Sequence, residues 1–152
     1  MAKGVFHEEN IMKSELTKQL RRDEGEVLHV YPDHLGFWTI GVGRLIDKRK
    51  GGGITAEESA YLLNNDIDRK DADLRRRAPW VSKLDDARYG VLLNMAFQMG
   101  VDGLLKFVNT LKMVEAGHYD AAGEGMRNSL WYKQTPERAE RLIKQMKTGA
   151  WQ

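Results

Sequence analysis

The sequence predicts an α+β protein, mostly helical, with one small β region near its beginning. Three observations carry that prediction. Residues Val27 to Ile46 combine alternation with turn-forming residues, the pattern of short strands. Thr55-Ala-Glu-Glu58 is a capping box ahead of a long stretch at helical spacing. After Pro79 the apolar residues keep helical periodicity to the end. With 152 residues and 41% hydrophobic content, the chain makes one globular domain, or two small lobes sharing a core element.

Each element has a local reason. The first periodic segment opens near Ser14, a good N-cap, and stops at Gly25. Leu16, Leu20 and Glu24 are four residues apart and share a helix face, so an apolar stripe runs into a carboxylate. Val27 to Tyr31 then reads as a strand, Pro32 to Gly36 as a turn, and Phe37 to Ile46 as a second strand. In that second strand Phe37, Thr39, Gly41 and Gly43 share a face that is bare around Thr39, and its glycines mark a bulge or a close approach. The run from Asp47 to Gly53 is a polar loop. The helix behind Thr55 runs from about 56 to 77, roughly 33 Å. Beyond Pro79, Asp85 or Asp86 caps a segment, Gly90 to Gly100, that is apolar on nearly every side and reads as a central buried helix. Helices follow at about 103–116, 119–128 and 136–147, the last with Thr135 as N-cap and Pro136 at its first position. Residues 1–152 thus form one domain: an extension over 1–11, a lobe with a β-hairpin over about 12–54, a connecting helix over about 55–78, and a helical lobe over about 79–152.

Composition excludes several function classes. Cys is absent, so disulfides, thiolate metal sites and Cys nucleophiles are absent too. Residues 1–78 hold 14 basic and 14 acidic residues and residues 79–152 hold 10 and 8, so no nucleic-acid partner is indicated. No apolar run reaches the roughly 18 residues of a membrane span, and the first twenty residues, with Glu8, Glu9 and Glu15 and no apolar h-region, do not read as a secretory signal. Stable membrane insertion is not expected, and synthesis in a cytosol is. His7-Glu8 lacks the second His of a zinc-protease helix, and His29, His34 and His118 have no ligand spacing, so no metal is expected. Gly41-Val-Gly43 lacks the third glycine of a dinucleotide loop, and there is no Ser nucleophile elbow.

What remains is Glu24, Asp33 and Thr39, on a helix end, a turn and a strand. A carboxyl on an apolar stripe loses hydration, which favours its protonated, proton-donating form. Asp33, in a turn rich in backbone donors, stays ionised. Two carboxyls in unlike surroundings suit glycosidic bond cleavage. Spacing alone favours the plain alternative, in which Glu24 ion-pairs at a helix end and Asp33 forms a turn.

Longer motifs bear on that choice. Asp23-Glu24-Gly25, Tyr31-Pro-Asp33, Gly36 and Thr39-Ile-Gly41-Val-Gly43 together resemble the active-site hairpin of T-even phage-type lysozymes. Asn94-Met-Ala-Phe97-Gln98-Met99-Gly100 resembles a helical-lobe signature of the same family, as does the run from Trp131 to Arg141. The similarity covers Met12 to Trp151 in the family's order. It implies a lysozyme-like two-lobed fold with a cleft, and an N-acetylmuramidase acting on bacterial peptidoglycan without a cofactor. Glu24 is then the general acid, and Asp33 and Thr39 hold and activate the attacking water, which suits inversion. Leu45, Phe97 and Thr110 fall at saccharide-contact positions. Arg138 matches an arginine that reaches the catalytic Glu, opposing the effect of burial on that carboxyl. Tyr31, Gly41 and Gly43 support the site. The resemblance also implies an antibacterial, bacteriolytic endolysin, monomeric, released to the wall by a separate membrane-permeabilising protein.

The departures from the family pattern carry expectations too. Arg44 stands where T-even members have a His paired with an Asp, present here as Asp66, so an Arg44–Asp66 ion pair is expected. Gly125 replaces a substrate-binding Asn, and Ile46 to Ile54 is shorter than in T-even members. Two other readings compete: a lytic transglycosylase that uses Glu24 without Asp33, and a wall-binding or membrane-active protein with a vestigial site.

Overall fold

The computed structural model describes the backbone of residues 3–46 and 52–152, with side chains from Lys13 onward. The chain divides into two compact units, Met1–Ser59 and Ala60–Gln152, so the boundary falls in the first turn of the long helix.

The first unit opens with α1 (Lys3–Glu24) and continues as three strands, β1 (Val27–Pro32), β2 (Trp38–Gly41) and β3 (Arg44–Leu45). They form one antiparallel sheet in the order β1-β2-β3. α1 starts eleven residues before the expected cap at Ser14, because nothing between Lys3 and Ser14 breaks a helix except the weak Gly4. It ends as expected at Gly25, whose φ of +75° needs no Cβ and whose N–H bonds the Arg21 carbonyl at 3.1 Å. The stripe behind Glu24 departs from expectation. Leu16 and Leu20 are each 44% exposed, and Glu24 is exposed as well.

The expected second strand is in fact two. Gly41 and Gly43 both have φ of +67°, which turns the chain back after Ile40 and pairs it with Arg44. Phe37 and Ile46 lie outside the strands, although Ile46 N–H still bonds the Trp38 carbonyl at 2.9 Å. The sheet register aligns Tyr31 with Thr39 and Thr39 with Leu45, a row across all three strands. A bulge separates the Val27–Gly41 pairing from the Tyr31–Thr39 pairing.

α2 (Ala56–Arg77) has the predicted bounds and the predicted cap. Thr55 N–H bonds Glu58 Oε2 at 2.8 Å, and Glu58 N–H bonds Thr55 Oγ1 at 3.2 Å.

In the second unit a 3₁₀ turn (Pro79–Lys83) leads into α3 (Asp86–Leu105), capped by Asp85 through the Arg88 N–H at 3.1 Å. Then come α4 (Val108–Glu115), α5 (Tyr119–Arg127), α6 (Leu130–Gln134) and α7 (Pro136–Thr148). The helix expected over 103–116 is broken. Gly100, at φ +78° and ψ 160°, kinks α3 instead of ending it, and the chain turns again before Val108. α6 has no periodic signal in the sequence, because five residues are too few to show one.

α3 is the buried centre that its composition predicts. Val91, Leu92, Met95 and Ala96 are buried with Leu74, Met126, Ile143 and Met146. Full burial of one such large side chain contributes about 1.5–3 kcal/mol. Arg88 ties α7 to α3 by donating to the Met146 and Lys147 carbonyls at 2.7 and 3.0 Å, satisfying groups that the end of α7 leaves open.

Candidate active site

Seven of the ten residues singled out from the sequence lie in the first unit: Glu24, Tyr31, Asp33, Thr39, Gly41, Gly43 and Leu45. The Glu24 carboxylate, on the last residue of α1, rests against Gly43 in the β2–β3 turn. A Cβ at position 43 would stand 2.9 Å from Glu24 Oε2 and 3.3 Å from its carboxyl carbon. The bare strand face thus answers to a close approach, and what approaches is the candidate acid itself.

Asp33 closes the turn between β1 and β2. Its Oδ1 accepts the Leu35 N–H at 2.9 Å and the Phe37 N–H at 2.8 Å, and its own N–H bonds the Phe37 carbonyl at 2.8 Å. One carboxylate oxygen is therefore held by backbone donors, which orients the side chain. Thr39 is 3% exposed and donates its hydroxyl to the Phe37 carbonyl at 3.0 Å. With its proton engaged, the Thr39 oxygen has lone pairs to offer to a donor such as water. Tyr31 and Leu45 flank Thr39 on the same sheet face.

Arg44 and Asp66, expected to pair, fall in different units, and each has a partner within its own. Arg44 Nη2 pairs with Glu58 Oε2 at 2.6 Å, and its Nε donates to the Gly53 carbonyl at 3.0 Å. Asp66 pairs with Arg69, one turn along the same helix. Glu58 is already fixed by the capping box at the start of α2, so Arg44 meets an oriented acceptor there. The Thr55 N–H first, helped by Arg44, holds the Glu58 carboxyl below the usual glutamate range.

The other three residues lie in the second unit and line two different cavities. Phe97, 42% exposed on α3, and Arg138 on α7 line one of about 390 Å³ that also contains Leu63, Ile67, Asn94 and Trp151. Arg138 Nε and Nη2 bond Asn94 Oδ1 at 2.9 and 2.7 Å, and Nη2 also reaches the Asn94 carbonyl at 3.2 Å. The Lys70 ammonium lies 5.4 Å from the Phe97 ring centroid. Thr110 lines a separate notch with Gly125, and a Cβ at Gly125 would come within 2.6 Å of Thr110 Oγ1.

The family model described as phage lysozyme matches residues 21–147, which include every one of the ten residues. The chain belongs to the phage lysozyme family. Among its relatives is the probable T4-type lysozyme 1 of Dictyostelium discoideum, 33% identical over 91% of this chain and 96% of that protein. The pre-baseplate central spike protein Gp5 of Enterobacteria phage T4 is 35% identical over 88% of this chain but 28% of its own length. The endolysin of Salmonella phage P22 is 31% identical over 76% and 79%. This lysozyme is accordingly a glycoside hydrolase of the T4 type.

Sequence reasoning passed over two partners in the lysozyme's second unit. Asn94, which the sequence marks only as part of a motif, takes both hydrogen-bonding nitrogens of Arg138. Trp151 lies over Gly90, where a Cβ would be 2.4 Å from the indole Cη2. A glycine inside an otherwise apolar helix was the available signal for that approach.

Proposed function

We propose that this lysozyme hydrolyses the β-1,4 bond between N-acetylmuramic acid and N-acetylglucosamine in peptidoglycan, with inversion, as a phage endolysin that lyses its host. Glu24 protonates the leaving glycosidic oxygen. Asp33 and Thr39 hold the water that attacks from the other face of the sugar. Leu45, Phe97 and Thr110 contact saccharide, and Arg138 supports the site.

The observation that carries the reading is the seating of Glu24 on Gly43, in the same three-stranded element that carries Asp33 and Thr39. An acid held in a fixed place is what general acid catalysis needs. Two backbone N–H groups on Oδ1 hold the Asp33 carboxylate in one orientation, as a positioned general base requires. Among the described residues no single helix is long and apolar enough to cross a membrane. The reading takes the protein as a monomer that reaches the wall through a separate permeabilising protein.

The test is mass analysis of muropeptides released from purified wall by the wild type and by Glu24→Gln. Reducing muramic acid ends from the wild type, lost in Glu24→Gln with folding retained, are expected. 1,6-Anhydro ends would overturn hydrolysis in favour of a transglycosylase. Lysis undiminished in Glu24→Gln would overturn the enzymatic reading of this site.

A further inference from the structure

The backbone under Glu24 belongs to an element too short to hold itself in place. Gly43 ends the turn between β2 and β3, and both Gly41 and Gly43 sit at φ +67°, where the lack of a Cβ leaves the chain soft. β3 (Arg44–Leu45) follows at once and lies at the edge of the sheet. Its ladder is Arg44 opposite Ile40 and Leu45 opposite Thr39. Strands in folded proteins usually run to about five or six residues. The ladder by itself is a weak anchor for the residue on which the candidate acid rests.

Arg44 adds a stronger one. Its guanidinium makes a fork: Nε donates to the Gly53 carbonyl at 3.0 Å, and Nη2 pairs with Glu58 Oε2 at 2.6 Å. Gly53 returns its N–H to the Leu45 carbonyl at 3.0 Å, so the chain after the strand is tied back to it. Glu58 Oε2 also accepts the Thr55 N–H at 2.8 Å, which fixes the far end of the fork at the start of α2. A planar guanidinium can grip two such acceptors in one orientation, where an ammonium acts as a point charge.

Magnitudes decide what this contact does. The Arg44 and Glu58 side chains are 44% and 41% exposed, and exposed pairs add little to global stability. Geometry at a reacting group is far more sensitive, since a misplacement of about 1 Å can cost on the order of a hundred-fold in rate. Glu24 lies directly on the Gly43 backbone, so a shift of that backbone shifts the carboxylate with it.

We infer that Arg44, through its fork to Gly53 and Glu58, is a positioning residue for the reaction: it fixes the β2–β3 turn and with it the Glu24 carboxylate. This rests on the reading of Glu24 as the acid and adds a residue to that reading.

The experiment measures reducing-end kinetics on purified wall, and thermal melting, for wild type, Arg44→Ala, Arg44→Lys, Glu58→Gln and Asp85→Ala. Asp85→Ala removes the cap of α3 in the second unit and is the destabilised control. Arg44→Ala is expected to lower kcat about ten-fold with KM within about two-fold of wild type, the size of a lost charge-assisted bond. Glu58→Gln should lower kcat about three-fold. The double variant should lose no more than Arg44→Ala alone, because both substitutions break one contact. Arg44→Lys should keep part of the rate, retaining the charge but not the fork. Asp85→Ala should melt earlier with wild-type kcat. By NMR, the Glu24 side-chain carboxyl resonance should move in Arg44→Ala and stay in Asp85→Ala. Wild-type kcat in Arg44→Ala, an equal kcat loss in Asp85→Ala, or an unmoved Glu24 resonance in Arg44→Ala overturns the inference while Glu24 remains the acid. Full activity in Glu24→Gln would instead refute that role of Glu24, and this inference with it.

Discussion

Gly43 is the seat of Glu24: the place a side chain would begin at residue 43 is 2.9 Å from Glu24 Oε2. Gly43→Ala therefore combines two penalties, a left-handed φ of +67° and a collision with the candidate acid. Gly41 shares that φ but has nothing within 4 Å of its Cβ position. Both alanine variants should lose about 1–2 kcal/mol from backbone strain. Only Gly43→Ala should in addition lose on the order of a hundred-fold in kcat, the effect of displacing a catalytic group. Thermal melting and reducing-end kinetics on the pair measure this; equal kcat losses would show that the contact does not matter.

Asp33 has a structural duty and a proposed chemical one, and two substitutions separate them. Asn at 33 can still accept the Leu35 and Phe37 N–H bonds through its Oδ1, so the turn survives. Asp33→Asn should melt within a few degrees of wild type yet lose at least about a hundred-fold in activity if Asp33 activates water. Asp33→Ala should also lose stability, about 1–3 kcal/mol for the two hydrogen bonds. Wild-type rates in Asp33→Asn would reduce Asp33 to a turn former.

The partner of Arg44 predicts which acid matters for the first unit. Asp66 makes a surface pair with Arg69, so Asp66→Asn should leave the melting temperature nearly unchanged. Thr55→Ala removes the hydroxyl that caps α2 and should cost about 1 kcal/mol. Glu58→Gln keeps the capping geometry but ends the ion pair with Arg44. Because the folded-state Glu58 carboxyl titrates below its ordinary range, its contribution is present above the unfolded value and lost as pH falls through the folded one. The difference between wild type and Glu58→Gln should therefore narrow in acid. A difference that stays constant down to pH 3 would contradict the pairing.

A second acid-sensitive contact joins α2 to α3. The buried Tyr89 hydroxyl donates to Asp71, and Arg75 bonds the same carboxylate at 2.7 Å while lying 4.5 Å from the Tyr89 ring centroid. The Tyr89 hydroxyl first, then Arg75, holds the Asp71 carboxyl below its usual range, while burial and then Asp71 push the Tyr89 phenol up. Tyr89→Phe should cost about 1 kcal/mol at neutral pH. That loss should shrink as pH falls from the ordinary aspartate range through the lower folded-state value of Asp71. The raised phenol contributes stability below its unfolded value and loses it as pH climbs past about 10. Denaturant titrations of both proteins at pH 3, 7 and 10.5 read all three regimes.

The sequence by itself determined the features written in neighbouring residues. The Thr55–Glu58 box, the end of α1 at Gly25, the Asp85 cap, Pro136 opening α7 and the Asp33 turn each depend on groups within about four positions of one another, so their chemistry is visible in a short window. The motifs around Glu24, Asn94 and Trp131 likewise sufficed to indicate the family. Tertiary structure decided what joins distant segments: that Gly43 lies under Glu24, that Arg44 meets Glu58 and not Asp66, that Asn94 takes Arg138, and that Gly125 makes room for the Thr110 hydroxyl. Such contacts depend on where whole backbones come to rest, a sum over many packed side chains that no local spacing encodes.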